Sequence, residues 1–271
     1  MKHEKDFSSQ LSGVELCLSY DGPPVVDGLT IDIPIGQITV IVGANGCGKS
    51  TLLRAFARVL TPDSGKVILN GDQIQNMPTR HVARQLSLLP QNQRTPDAIA
   101  VKDLVRRGRY PHQGLFDQWS KKDEEAVDRA LRTTGLQDFG ERLVDELSGG
   151  QRQRVWIAMV LAQDTPIMLL DEPTTHLDMA HQVEILELLS RLSIEEKRTI
   201  VMVLHDINLA ARYATNLIAM RDGSIIYSGR PAEVVSSEMV KDVFDLRSVV
   251  ISDPVTSSPL VIPHPMRESN G

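Results

Sequence analysis

The chain has 271 residues, 41% hydrophobic but only 4% aromatic, and a formal net charge of −6. That length holds one large domain or two small ones. The mild acidity and the scarcity of rings argue against a nucleic-acid partner, which asks for a basic face or a stacking platform.

Two cysteines, Cys17 and Cys47, make no disulfide framework and fit a reducing compartment. The start, MKHEKDFSSQ, lacks the apolar stretch of a signal peptide. No apolar run approaches the roughly 20 residues that span a bilayer. The expectation is a soluble, cytoplasmic chain; any work at a membrane needs other subunits to span it.

In chain order, VELCLSY (14–20) alternates as a strand does, and DGPP makes a turn. GLTIDIPIGQITVIVG (28–43) reads as two strands about Pro34 and Gly36. Its second half, ITVIV, is apolar on both faces, as a buried central strand is. KSTLLRAFARVL (49–60) has helical spacing, GKVILNGDQI (65–74) reads as a hairpin piece, and LSLLP (86–90) as a buried strand ending at Pro90.

From about Asn92 to Asp164 the texture turns helical, in VKDLVRRGRY, KKDEEAVDRALRTTG and QRVWIAMVLAQ. PIMLLDEP (166–173) and TIVMVLHD (199–206) are further buried strands, with the helix AHQVEILELLSRL between them. NLAARYA is a helix, and NLIAMRDGSIIYSGR a hairpin turning at Asp222-Gly223. The tail beyond Pro231 carries short helical signals, then a Ser/Pro-rich end expected to fray after Pro265.

Three stretches carry chemistry. GANGCGKST, Gly43–Thr51, fits G-x-x-x-x-G-K-[ST] with a strand before it and a helix after it. Gly43, Gly46 and Gly48 let the backbone N–H groups of the loop, Ala44, Asn45 and Cys47 included, turn towards phosphate oxygens. Lys49 reaches for the β- and γ-phosphates, and Ser50 offers its hydroxyl to Mg²⁺. IMLLDEP ends a buried strand on two carboxylates: Asp171 suits the Mg²⁺ shell, and Glu172 a base that orients or deprotonates water. Gln91, Asp178 and His205 each follow a buried strand, where ligands collect in open parallel sheets. LSGGQ, Leu147–Gln151, opens a helix with Ser148, Gly149 and Gly150. It raises the question of why a chain with one phosphate loop carries a second such turn.

These motifs, in this order, resemble the ATP-binding subunit of an ABC transporter. The match runs from about Tyr20 to His205: an aromatic A-loop (Tyr20), the P-loop, the Q-loop (Gln91), the LSGGQ signature, the Walker B strand (Ile167–Glu172), the D-loop (Asp178) and the H-loop (His205). The one slight departure is Ala44, where proline is commoner.

The resemblance implies a P-loop NTPase of α/β class, with a mostly parallel core sheet, an N-terminal antiparallel β part and an inserted helical subdomain. It implies one cassette over about 12–230, with the core near 12–91 and 164–230, helices near 92–163 and a C-terminal extension over 231–271. ATP and Mg²⁺ are the implied cofactors. Tyr20, Gly43–Thr51 and Asp178 bind nucleotide; Ser50, Gln91 and Asp171 hold the metal; Glu172, His205 and Gln91 are catalytic. Two cassettes pair head to tail, so that Ser148, Gly149, Gly150 and Gln151 close over the partner's ATP. That answers the question of the second turn.

Because the cassette stands alone, its transmembrane permeases are separate chains, as in bacterial importers. RGRYPHQGLF (107–116), WIAMVLAQD and DPVTSSPLVIPH are similar to ATPases of ferric-siderophore importers of the ferric enterobactin type. The implied setting is the cytoplasmic face of the inner membrane, with two permease subunits and a periplasmic or surface binding protein in the same complex. Importers of cobalamin or haem are the nearest alternative. Soluble ABC ATPases acting on DNA or ribosomes are the alternative class, disfavoured here by the lack of a long coiled-coil insertion or a second cassette. The surface from Gln91 to Phe116 is expected to dock a cytoplasmic helix of the permease, with Tyr110, Leu115 and Phe116 ringed by Arg107, Arg109 and His112. The Cys47 thiol and His176 read as bystanders.

Overall fold

The computed structural model describes residues 9–114, 119–175 and 177–265. Leu115, Phe116, His176 and the end beyond Pro265 lie outside the described residues.

From the N-terminus run β1 (Ser9–Leu18), β2 (Val26–Pro34), β3 (Ile38–Gly43) and α1 (Lys49–Phe56). Then come β4 (Ser64–Leu69), β5 (Asp72–Gln73), α2 (Thr79–Gln85) and β6 (Leu86–Leu89). A helical stretch follows, with α3 (Val101–Arg106), α4 (Lys121–Thr133) and α5 (Gly149–Ala162). The chain returns through β7 (Ile167–Asp171), α6 (Met179–Glu196), β8 (Thr199–Val203), α7 (Ile207–Tyr213), β9 (Asn216–Arg221) and β10 (Ser224–Gly229). It closes with α8 (Pro231–Val234), α9 (Ser237–Phe244), β11 (Ser248–Ser252) and β12 (Pro259–Pro263).

One sheet is antiparallel, in the order β2-β1-β4-β5. The other has the order β10-β9-β3-β8-β7-β6 and is parallel except at its β10 edge. Strands β3, β7 and β8 are buried at every position, because a layer covers each face. Val40, Val42, Met168, Leu170, Ile200 and Met202 pack towards α3–α7. The alternate residues Ile41, Ile167, Leu169, Val201 and Val203 pack with Leu52, Leu53 and Phe56 of α1 and with the antiparallel sheet. The period of two along each strand sorts these two sets into two cores.

Some elements depart from the sequence reading. Strand β1 starts at Ser9, not Val14, because it pairs on both sides, with β2 and β4, and so needs little apolar signal at its polar start. Tyr20 lies past its end. Helix α1 stops at Phe56, and Arg58 takes a left-handed φ of 57° soon after. Helix α2 has one buried residue, Val82, so TRHVARQ shows no periodicity to read. The β11–β12 hairpin in the tail was likewise not anticipated; Val261 is its one fully buried apolar residue. The Asp222-Gly223 turn forms as expected, with φ of 47° and 77°.

Two members of the charged ring expected around Tyr110, Arg109 and His112, are engaged elsewhere. Tyr110 is exposed, but Arg109 is only 6% exposed. Its Nε donates to Asp123 Oδ1 at 2.9 Å, and its Nη1 to Ala162 O at 2.7 Å. His112 Nε2 lies 2.8 Å from Gln163 O. Both side chains thus satisfy carbonyls that the end of α5 leaves without helical partners. Gly108 permits the approach: a Cβ there would fall 2.2 Å from Met159 O. Burial alone would raise the Asp123 carboxyl, but hydrogen bonds from Ser120 and Arg109 outweigh it and hold it below the usual range. Replacing Arg109 by Ala strands a buried carboxylate, so Arg109→Ala should cost about 3 kcal/mol in urea unfolding; a loss under about 0.5 kcal/mol, the scale of an ordinary surface substitution, would contradict this.

Candidate functional site

Four neighbouring parallel strands end at one edge. Ile41 of β3 faces Val203 of β8, Val203 faces Asp171 of β7, and Leu170 faces Leu89 of β6. Whatever follows each strand must therefore meet. A cavity of about 490 Å³ opens there, lined by Tyr20, Asn45, Gly46, Gly48, Lys49, Ser50, Gln91, Glu172 and His205 among others.

The loop from Gly43 to Gly48 is shaped by glycine. Gly43 has φ 152° and sits so close to β9 that a Cβ would fall 2.2 Å from Met220 O. Gly48 caps α1 at φ 102°, where a Cβ would meet Val26 Cγ2 at 2.8 Å. Helix α1 then points its N-terminal N–H groups into the cavity side of the loop, a ready anion site. Lys49 is buried, and its Nζ donates to Gly43 O at 2.9 Å and Ala44 O at 2.8 Å. Its ammonium thus closes the loop at the cavity wall. Cys47 is a buried free thiol, and burial pushes its pKa up, away from the reactive thiolate.

Ser50 Oγ donates to Asp171 Oδ1 at 2.8 Å. Asp171 is 2% exposed, and burial holds its carboxyl above the usual range, with a further push from the neighbouring Glu172. A buried carboxylate paired with a serine hydroxyl is an all-oxygen set, which suits a small hard cation. The cation's charge would also relieve the burial cost of the carboxylate. The residues present therefore fit Mg²⁺.

Glu172 turns the other way. It has a left-handed φ of 54°, an unfavourable conformation for a residue with a side chain, held here by the surrounding contacts. Oε1 lies 2.6 Å from His205 Nε2, and Oε2 accepts from Thr175 Oγ1 at 3.0 Å. Gln91 adds a third hydrogen bond. Burial raises its pKa, but the bonds from His205, Thr175 and Gln91 win, and the carboxyl sits below the usual range. Two adjacent carboxylates are thus driven apart, one up and one down, which is how paired acidic groups take different roles.

Tyr20 stands at the cavity mouth, 46% exposed, its hydroxyl accepting from Arg54 Nη1 at 3.0 Å. Ser148 caps α5 in a reciprocal box: Gln151 N donates to Ser148 Oγ at 3.2 Å, and Ser148 N to Gln151 Oε1 at 3.0 Å. Asp178 caps α6. Ser148, Gly149, Gly150, Gln151 and Asp178 do not line the cavity.

Sequence reasoning passed over Arg54, Thr175 and His181. Arg54 acts through the fold, 34 residues from Tyr20, and Thr175 through a turn onto Glu172 three residues before it. The box at Ser148 follows S-x-x-Q, a capping signature that sequence reasoning also passed over.

The ABC transporter family matches residues 26–175. The chain belongs to that family. Relatives similar along the whole cassette include the ferric enterobactin transport ATP-binding protein FepC of Escherichia coli (strain K12), 53% identical over 94% of this chain and 94% of its own. Another is the petrobactin import ATP-binding protein FpuD of Bacillus anthracis, 54% identical over 92% and 91%. Among solved structures, the dimeric post-hydrolysis state of the ATP-binding cassette MJ0796 with ADP and Pi matches with TM-score 0.71 and 26% identity, covering 81% of this chain and 98% of that one. The cassette is thus a P-loop NTPase that binds ATP.

The raised Asp171 carboxyl makes a stability prediction. The folded chain holds that proton more tightly than the unfolded chain does. The stabilisation is full below the unfolded carboxylate value and is lost as pH rises through the folded one. Without divalent cations, Asp171→Asn should therefore raise Tm near neutral pH, with the gain fading as pH falls into the carboxylate range. Mg²⁺ should raise the Tm of the wild type and not of the variant. Equal Mg²⁺ shifts in both would remove Asp171 from the metal site.

Proposed function

We propose that this cassette hydrolyses ATP to power import of a ferric siderophore through two separate permease subunits, at the cytoplasmic face of the membrane. The observation that carries the reaction is the cavity in which Lys49, Ser50 and the Glu172–His205 pair come together. The cargo rests on whole-cassette likeness to relatives named for ferric enterobactin and petrobactin transport. No helix among the described residues is long and apolar enough to cross a membrane, which is consistent with a translocation path supplied by separate permeases.

In this reading Tyr20 stacks on the adenine. The N–H groups of Gly43–Thr51 cradle the phosphates, and Lys49 turns from its loop carbonyls to the β- and γ-oxygens. Ser50, Asp171 and Gln91 would hold Mg²⁺, which would supply charge against the phosphate oxygens. Glu172 accepts a hydrogen bond from the attacking water. As the water oxygen bonds to the γ-phosphorus, the bond to the β–γ bridging oxygen breaks. ADP leaves with that electron pair, and the water's proton passes to the Glu172 carboxylate. His205 holds Glu172 in place and contacts the γ-phosphate. Two cassettes pair head to tail, and Ser148–Gln151 and Asp178 of one complete the site of the other. A periplasmic or surface binding protein delivers the cargo to the permeases. Gln91 opens the helical stretch, so loss of the γ-phosphate is felt where the permease docks.

Glu172→Gln keeps the shape and removes the base. Turnover should fall about 10²–10⁴-fold with MgATP binding retained. Lys49→Ala should instead lose most nucleotide affinity, since it removes the point charge at the phosphates. ATPase assays beside equilibrium nucleotide binding separate the two. Near-normal hydrolysis in Glu172→Gln, or wild-type affinity in Lys49→Ala, would overturn the assignment.

A further inference from the structure

Helices α5 and α6 begin on sequence that the nucleotide cavity does not use, and one ring joins their starts. Asp178 Oδ1 accepts the backbone N–H of His181 at 3.0 Å and lies 2.7 Å from Nδ1 of the same residue. The other side of that imidazole lies against Gly150. A Cβ on Gly150 would fall 2.7 Å from His181 Cδ2, 2.9 Å from Cγ and 3.1 Å from Nε2. The two glycines of the turn differ here, because a Cβ on Gly149 would meet nothing within 4 Å.

Gly150 is not among the glycines of positive φ. Its backbone is one that alanine adopts, and glycine inside a helix costs about 1 kcal/mol against alanine. In this chain the missing Cβ makes room for the ring.

We propose that His181 is a positioning residue that fastens the Ser148–Gly150 turn of α5 to Asp178 at the start of α6. The two loops that face the partner cassette then move as one piece. The proposal rests on the reading that both loops complete the partner's site. Nothing in the contact touches the cassette's own cavity, so losing His181 should weaken pairing and spare nucleotide binding within one chain. A side chain that served only stability would lower Tm and both affinities together.

The test uses the full chain carrying Glu172→Gln, with MgATP-dependent dimerisation followed by sedimentation equilibrium. Adding His181→Ala should weaken the dimer about tenfold, in the range of coupling between touching residues. Nucleotide affinity measured below the dimerisation range, and Tm, should stay at parent values. His181→Gln keeps a planar group with an N–H for Asp178 and should recover most of the loss. Gly150→Ala keeps its backbone N–H but pushes on the ring, so it should weaken the dimer more beside His181 than in the His181→Ala background. If the parent dimerises and His181→Ala dimerises equally well, or if Gly150→Ala costs the same in both backgrounds, the brace is overturned while the paired-site reading stands. If the parent binds MgATP and stays monomeric, the paired-site reading fails and takes the brace with it.

Discussion

The parallel register of β6, β7, β8 and β3 is the constraint on which the site depends. Each strand is fixed by backbone hydrogen bonds to its neighbours and by apolar side chains on both faces. A shift of one residue in β7 would exchange Met168 and Leu170 with Ile167 and Leu169, and so turn its side chains into the wrong cores. Because the register is held so firmly, Gln91, Asp171, Glu172 and His205 need no long-range guidance of their own. They are the polar residues at or just past the ends of strands that already stand side by side.

The polar contacts then divide the work. Asp171 is buried with a single hydroxyl partner and is raised; Glu172 is buried with three donors and is lowered. Adjacent residues reach these opposite states because they meet different partners, Ser50 for one and His205, Thr175 and Gln91 for the other. The left-handed backbone at Glu172 is the local cost of turning the second carboxylate towards His205. The helical stretch is braced separately. Arg109 and His112 hold one end of α5, and the Ser148–Gln151 box holds the other. The signature turn thus sits on a helix fixed at both ends.

Much of this was legible in the sequence, for reasons that differ by residue. The P-loop, the Walker B strand and LSGGQ are contiguous, so their spacing carries the geometry. The buried strands announced themselves by largely apolar runs, β-branched in β3 and β8, and Asp222-Gly223 by turn chemistry. Other features were not legible. Arg109 looked like a surface charge, since nothing local shows that it reaches Asp123 and the α5 carbonyls. Helix α2 buries Val82 alone, and the β11–β12 hairpin packs through Val261 with half-buried Val250 beside it, so neither leaves a periodic pattern. The bond Arg54–Tyr20 arises from tertiary placement, and Thr175–Glu172 from a local turn whose side-chain bond has no sequence signature.

The central claim is that each ATP site is shared, with the P-loop from one cassette and the signature from the other. Mixed dimers test it most directly. One chain carries Lys49→Ala, the second Ser148→Arg, and both carry Glu172→Gln to hold bound ATP. Each chain alone has no intact shared site. A dimer of the two has one, formed by the P-loop of the second chain and the signature of the first. The measurement is ATP retained per dimer after rapid removal of free nucleotide. The account predicts no retention by either chain alone and about one ATP per mixed dimer, as two-fold pairing requires. Mixtures that retain no more than the sum of the separate chains would contradict it.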